Sequence, residues 1–152
     1  MEEIKKILFP VDLSEASPKI APRVLMMGRA FQAEVHLLFV VRKLDHFTSI
    51  YVPYPSIENF EEELVKGGET KMEEFSSLYF KGYETYKTKV MLGDPADGIL
   101  SYVEAEKIDL IIMGTHGRKG LERIIFGSVA ERVIKLSPVP VMSVNPFRKV
   151  EG

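Results

Sequence analysis

Five short apolar runs alternate with stretches of helical period along the whole chain, and that alternation leaves few folds open. The runs are KKILFPV (5–11), VHLLFVV (35–41), ETYKTKVML (84–92), IDLIIMG (108–114) and VPVMSV (139–144). Three are nearly continuous in Val, Ile and Leu, as parallel strands covered on both faces require. The run at 84–92 alternates more, which predicts a strand nearer an edge. Between the runs, Ser17-Pro18 reads as an N-cap followed by proline in the first turn, with Ile20, Val24, Leu25, Met27 and Phe31 on one helix face. Ile57, Phe60, Leu64, Phe75 and Leu78 outline a second, longer helix, weakened at its middle by Gly67-Gly68. Asp94-Pro95 repeats the cap-and-proline signal ahead of Ile99, Leu100 and Val103. Leu121, Ile124 and Ile125 open a last helical region that continues through Val129, Val133 and Ile134. The order β-α-β-α-β-α-β-α-β predicts one α/β domain: an open five-stranded parallel sheet with helices on both faces, joined by right-handed crossovers. A long irregular stretch near residues 42–56 follows the second strand, and loops of that length are usually functional or mobile.

The 152 residues suit a single domain that buries a real core without staples. With no cysteine, a disulfide, a zinc–thiolate site, an iron–sulfur cluster and a Cys nucleophile are all excluded. Lys and Arg number 20 against 22 Asp and Glu, a net charge of −2, which argues against a general nucleic-acid binder. No apolar run approaches the roughly 18 residues of a membrane span, and MEEIKK does not resemble a signal peptide. The expectation is a cytoplasmic protein with neither nucleic acid nor membrane as partner. Charge is nonetheless unevenly placed. Segment 58–74 carries seven Glu against two Lys, a solvated helix face or a partner-docking surface. Segment 114–123 carries Arg118, Lys119 and Arg123 against Glu122 alone.

Ligands of open α/β sheets bind beyond the carboxyl ends of the strands, so the residues just after each run are the candidates. After the first come Pro10, Val11 and Asp12; after the second, Val40, Val41 and the long loop; after the fourth, which ends in Met113, GTHGRKG. Asp12 has two readings: a carboxylate accepting ribose hydroxyls, or a cap on the next turn. Gly114, Gly117, Gly127 and Ser128 form a spaced set whose backbone can approach a phosphate. Gly127-Ser128 stands where a helix resumes, so its amides and the helix dipole can face an anion. Three glycines at that spacing arise by chance in roughly 5% of such chains, and a following Ser or Thr brings this to about 0.5%. Neither GxxxxGK[ST] nor GxGxxG occurs. His116 reads as a loop histidine near phosphate or solvent, His36 as packing or interfacial, and His46 falls in the long loop. No two histidines have metal-ligand spacing, so a divalent ion, Mg or Mn, would arrive on the phosphates.

Taken together, KKILFPVDLSEAS, VHLLFVV, GDPADGI, IDLIIMGTHGRKGLERIIFGSVAERVI and SPVPVMSV resemble the universal stress protein family from the first strand to the last. The family's nucleotide motif, G-2x-G-9x-G(S/T), is met by Gly114, Gly117, Gly127 and Ser128. The resemblance implies a Rossmann-like, adenine nucleotide alpha-hydrolase-like sheet of strand order 3-2-1-4-5, spanning residues 1–146 before a short tail at 147–152. It implies that Asp12, beside Pro10 and Val11, holds ribose and that Val40 meets adenine through its backbone. Met113 and Gly114 would lie beside ribose and phosphates, with His116, Gly117, Arg118, Gly127, Ser128 and Val129 around the phosphates. The implied ligand is ATP, or AMP or ADP, and the implied assembly is a homodimer through the last strand, Val139 to Val144. Three functions stay open on this basis: a regulatory switch or sensor with an unknown protein partner, a slow ATPase or nucleotidyl-transfer enzyme, and a nucleotide-free interaction module.

Overall fold

The computed structural model describes residues 3–43, 54–115 and 126–147. Its elements follow the order β1 (Lys6–Pro10), α1 (Ser17–Phe31), β2 (Glu34–Arg42), α2 (Tyr54–Tyr79), β3 (Tyr86–Gly93), α3 (Pro95–Glu106), β4 (Leu110–Gly114), α4 (Phe126–Leu136) and β5 (Val141–Val144). All strands pair in parallel in one sheet, β3-β2-β1-β4-β5. The alternating third run lies at an edge, as its pattern predicts.

The topology dictates which helix covers which face. From β1 the chain steps outward to β2 and β3, then returns past β1 to β4 and β5. Right-handed crossovers taken in opposite directions must place their helices on opposite faces. Accordingly Ile7, Phe9, Val35, Leu37 and Ile112 pack with Ile20, Val24, Met72 and Phe75 of α1 and α2. Leu8, Leu38, Val40, Ile111 and Met113 pack with Ile99, Val103, Val129 and Val133 of α3 and α4. The reversal of direction falls between β1 and β4, which is where such folds open a ligand crevice.

Three local expectations need correction. Ser17 is not the N-cap of α1. Ala16 holds that position without a side-chain cap, while the buried Ser17 hydroxyl turns inward to Asp12 Oδ1 at 3.1 Å. In α2, Phe60 and Leu78 are 51% and 71% exposed, and Leu64 also faces out. The buried stripe is instead Ile57, Glu61, Gly68, Met72, Phe75 and Ser76. Gly68 explains the difference, because a Cβ there would stand 3.0 Å from the Phe39 ring. The glycine marks the line along which α2 lies closest to the sheet, and the helix runs unbroken through it. Phe31, at the last turn of α1, is exposed as well. The α3 signal holds as read: Asp94 Oδ2 accepts the Asp97 N–H at 3.0 Å, a side-chain cap followed by Pro95. Leu121, Ile124 and Ile125, the loop residues 44–53 with His46, and the tail from 148 lie outside the described residues.

A candidate nucleotide cleft at the end of the first strand

Asp12 stands two residues beyond β1, and its environment decides between the readings open for it. Oδ1 accepts three bonds: from the Ser14 N–H at 3.0 Å, the Ser14 hydroxyl at 2.6 Å and the Ser17 hydroxyl at 3.1 Å. These bonds fix a turn in which Leu13 adopts a left-handed backbone, φ 59°, a conformation that costs an L-residue about 1–2 kcal/mol. Oδ2 takes none of them, and Asp12 lines the cleft beside β1. The carboxylate therefore caps its turn with one oxygen, and the other takes no part in that cap.

That cleft has a volume of 260 Å³ and lies among Pro10, Val11, Asp12, Val40, Arg42 and the α3 residues Pro95 and Ile99, with Val129 of α4. This sits near the low edge of the roughly 300–1,000 Å³ of small-molecule sites. Among the described residues the walls are apolar apart from Asp12 and Arg42, so the polar groups these residues offer are largely those of the backbone. Backbone parity identifies the groups concerned. Along a strand, successive N–H and C=O pairs point to alternate sides. The Glu34 N–H bonds to Lys5 C=O, and Leu38 C=O accepts the Val11 N–H at 2.9 Å, so even-numbered residues of β2 face β1. Val35 and Lys43 donate the other way, to Thr85 and Gly93. Val40 thus aims its N–H and C=O toward β1, one step past the last rung. Buried backbone groups are rarely left unpaired, and this donor–acceptor pair opens onto the cleft. Helix α3 comes close at the same point, where a Cβ on Gly98 would stand 2.9 Å from Val40 Cγ2.

The remaining sequence candidates divide as follows. Pro10, Val11, Asp12, Val40 and Val129 line this one cleft. Met113 and Gly114 are buried at the end of β4 and do not line it. Gly127 is half-buried and Ser128 exposed in the first turn of α4, directly before Val129. Among the described residues, the nearest neighbour of a Cβ at Gly127 would be Thr115 C=O, at 4.0 Å. His116, Gly117 and Arg118, like Lys119 and Arg123, lie outside the described residues. Arg42, Pro95 and Ile99 line the cleft without having been singled out. Their signal was positional: Arg42 ends the second strand, and Pro95 and Ile99 open the helix that crosses over the same sheet face.

His36 is buried in packing, as read, but also sits in a polar network at the other end of β2. Its Nε2 meets Glu34 Oε1 at 2.5 Å and its Nδ1 meets the Tyr102 hydroxyl at 2.7 Å. Burial raises the Glu34 carboxyl, but the His36 hydrogen bond and the charges of His36, Lys87 and Lys6 outweigh it and hold the pKa below 4.5. Burial, with the carboxylates of Glu106 and Glu34, pushes the Tyr102 hydroxyl up to about 12. An ionised carboxylate only accepts, so Nε2 carries a hydrogen and donates it to Glu34. Among the described residues no group of three or more His, Asp or Glu could hold a metal ion, and no helix is long and apolar enough to cross a membrane.

The fold is that of the adenine nucleotide alpha-hydrolase-like proteins, with sheet order 3-2-1-4-5 and four helices. The universal stress protein family model matches residues 3–145, and the chain belongs to that family. It is 36% identical over 148 residues to universal stress protein MJ0531 of Methanocaldococcus jannaschii, covering 95% of this chain and 84% of that one. The solved structure of MJ0577, from the same organism, superposes with a TM-score of 0.78 at 32% identity, over 99% of this chain and all of that one. Two further structures share the fold. A universal stress protein from Archaeoglobus fulgidus in complex with dAMP has a TM-score of 0.65 at 18% identity, covering 93% of this chain and 98% of that one. A universal stress protein in complex with cAMP gives 0.60 at 19%, over 95% and 99%.

Proposed function

We propose that this chain binds an adenine nucleotide in the cleft beside β1, with ATP the leading ligand ahead of ADP and AMP, and acts as a homodimeric regulatory switch. The observation that carries this reading is the N–H and C=O of Val40, which lie past the last rung to β1 with no backbone partner among the described residues, on the cleft's apolar wall. Adenine presents a donor, its 6-amino group, beside an acceptor, N1, and one residue's backbone pair matches both. Guanine reverses the two and sets its O6 against the Val40 carbonyl. Asp12 Oδ2 accepts from ribose hydroxyls. Gly114, Gly117, Gly127, Ser128 and Val129 form the phosphate cradle, with Met113 behind it and His116 and Arg118 beside it. The first turn of α4 favours negative charge there through its N-terminal amides and dipole. The complete G-2x-G-9x-G(S/T) motif and the nucleotide-bound structures of two fold relatives support the same reading. Mg or Mn would travel with the phosphates, coordinated mainly by phosphate and water.

The homodimer reading rests on β5, a four-residue edge strand that among the described residues pairs only with β4, and on the exposed Ile134 and Leu136 of α4. An edge strand presents unpaired backbone groups to a second chain. Denaturing protein purified without added nucleotide and identifying the released ligand by mass spectrometry tests the whole reading. Released ATP supports a switch, and ADP or AMP alone points to an enzyme that turns its ligand over. Nothing released, with no thermal shift on adding ATP, points to a nucleotide-free interaction module.

A further inference from the structure

Of the two helices that wall the cleft opposite β1 and β2, one sends a charged side chain across to the other. Arg132 lies one turn beyond Val129 on α4, and its guanidinium reaches across to the start of α3. Nη1 bonds to Asp94 Oδ2 at 3.2 Å and Nη2 to Asp97 Oδ1 at 2.6 Å. Asp94 is at the same time the N-cap of α3, and Pro95, the next residue, lines the cleft. Arg132 therefore holds the turn of α3 that presents Pro95 and Ile99, from the helix that presents Val129. The planar fork spans two carboxylates at once, which a lysine ammonium does not do with the same geometry.

This contact is not what holds the helices onto the sheet. Ala96, Ile99 and Val103 of α3 pack with Val129, Ala130 and Val133 of α4 and with the sheet in one buried cluster. The arginine and both aspartates are about half exposed, where an ion pair adds little to stability. Its consequence is local: it sets the spacing of two cleft walls. It also offsets one of the two negative charges that Asp94 and Asp97 bring to the start of α3.

We infer that Arg132 is a positioning residue for the nucleotide cleft, clamping α4 to the capped end of α3 so that the walls from both helices stand at the spacing the ligand needs. The inference rests on the adenine-nucleotide reading of the cleft. Its test is calorimetric titration of the full chain with ATP and with adenosine, alongside thermal melts, for wild type, Arg132→Gln, Arg132→Lys, Asp97→Asn and the Arg132→Gln/Asp97→Asn double variant. Arg132→Gln is expected to weaken ATP about fivefold and to weaken adenosine measurably, with Tm within about 3 °C of wild type. Arg132→Lys should recover part of the loss, and the double variant should bind no worse than Arg132→Gln alone. Unchanged affinity in Arg132→Gln, while wild type binds, overturns the clamp and leaves the nucleotide reading standing. A loss for ATP with none for adenosine overturns positioning in favour of charge alone. Wild type that binds neither ligand overturns the nucleotide reading, and the clamp with it.

Discussion

Asp12 gives one oxygen to its turn, the other is the one proposed to hold ribose, and a single substitution separates the two duties. Asn at position 12 keeps a carbonyl oxygen for Ser14 and Ser17, so the turn through Leu13 survives. It puts an amide donor where the proposed reading sets a carboxylate oxygen against ribose. Asp12→Asn is expected to weaken ATP roughly tenfold or more by calorimetry, with little change in Tm. Comparable losses in both would mean that residue 12 serves only the turn. A second residue-scale prediction concerns Glu34. Its folded pKa lies below 4.5, so it contributes stability that is full above that pH and is lost as pH falls through the depressed folded value. Denaturant midpoints measured from pH 6 down to pH 3 should fall less steeply for Glu34→Gln than for wild type. Identical acid limbs would show that the His36–Glu34 bond carries none of this linkage.

At the scale of elements, the approach of α3 to β2 is governed by Gly98. Alanine improves helix propensity by about 1 kcal/mol, yet its Cβ would collide with the stiff Val40 side chain at 2.9 Å. Overpacking of this kind costs about 1–3 kcal/mol, and it falls on the residue proposed to read the base. Gly98→Ala should therefore lower both Tm and ATP affinity, whereas a gain in Tm would show that α3 moves away freely. For β5, backbone parity supplies the test. Pro140 and Val144 carbonyls accept from β4 and the residue after it, so Val141 and Ser143 turn their backbone groups to the open edge. Ser143→Pro removes an outward N–H and no rung to β4, so light scattering should show the dimer lost with the monomer still folded. A persistent dimer would place the interface elsewhere.

At the scale of the whole molecule, both helix layers and the end of the sheet that opens into a cleft follow from alternating runs and crossover handedness, whereas the strand order, now seen as β3-β2-β1-β4-β5, was implied only by the family resemblance. Single positions were less legible. The outward Phe60, Leu64 and Leu78 fit the helical period of α2 about as well as the true stripe, because a 26-residue helix offers several apolar lines. Only the close approach at Gly68, a three-dimensional fact, selects among them. Pro95, Ile99 and Arg42 reach the cleft through the packing of α3 and the end of β2, which spacing in the chain does not encode. The Val40 backbone pair is a property of where β1 stops relative to β2, so no residue type could announce it. The net charge of −2 also conceals the arrangement, with seven Glu on segment 58–74 and local positive charge on segment 114–123. The most direct test of the central claim is a paired calorimetric titration of nucleotide-stripped protein with ATP and with GTP. The structure predicts saturable binding of one ATP per chain and GTP weaker by at least about tenfold, since guanine sets acceptor against acceptor at Val40. Equal affinity for the two, or no saturable heat with ATP, would contradict it.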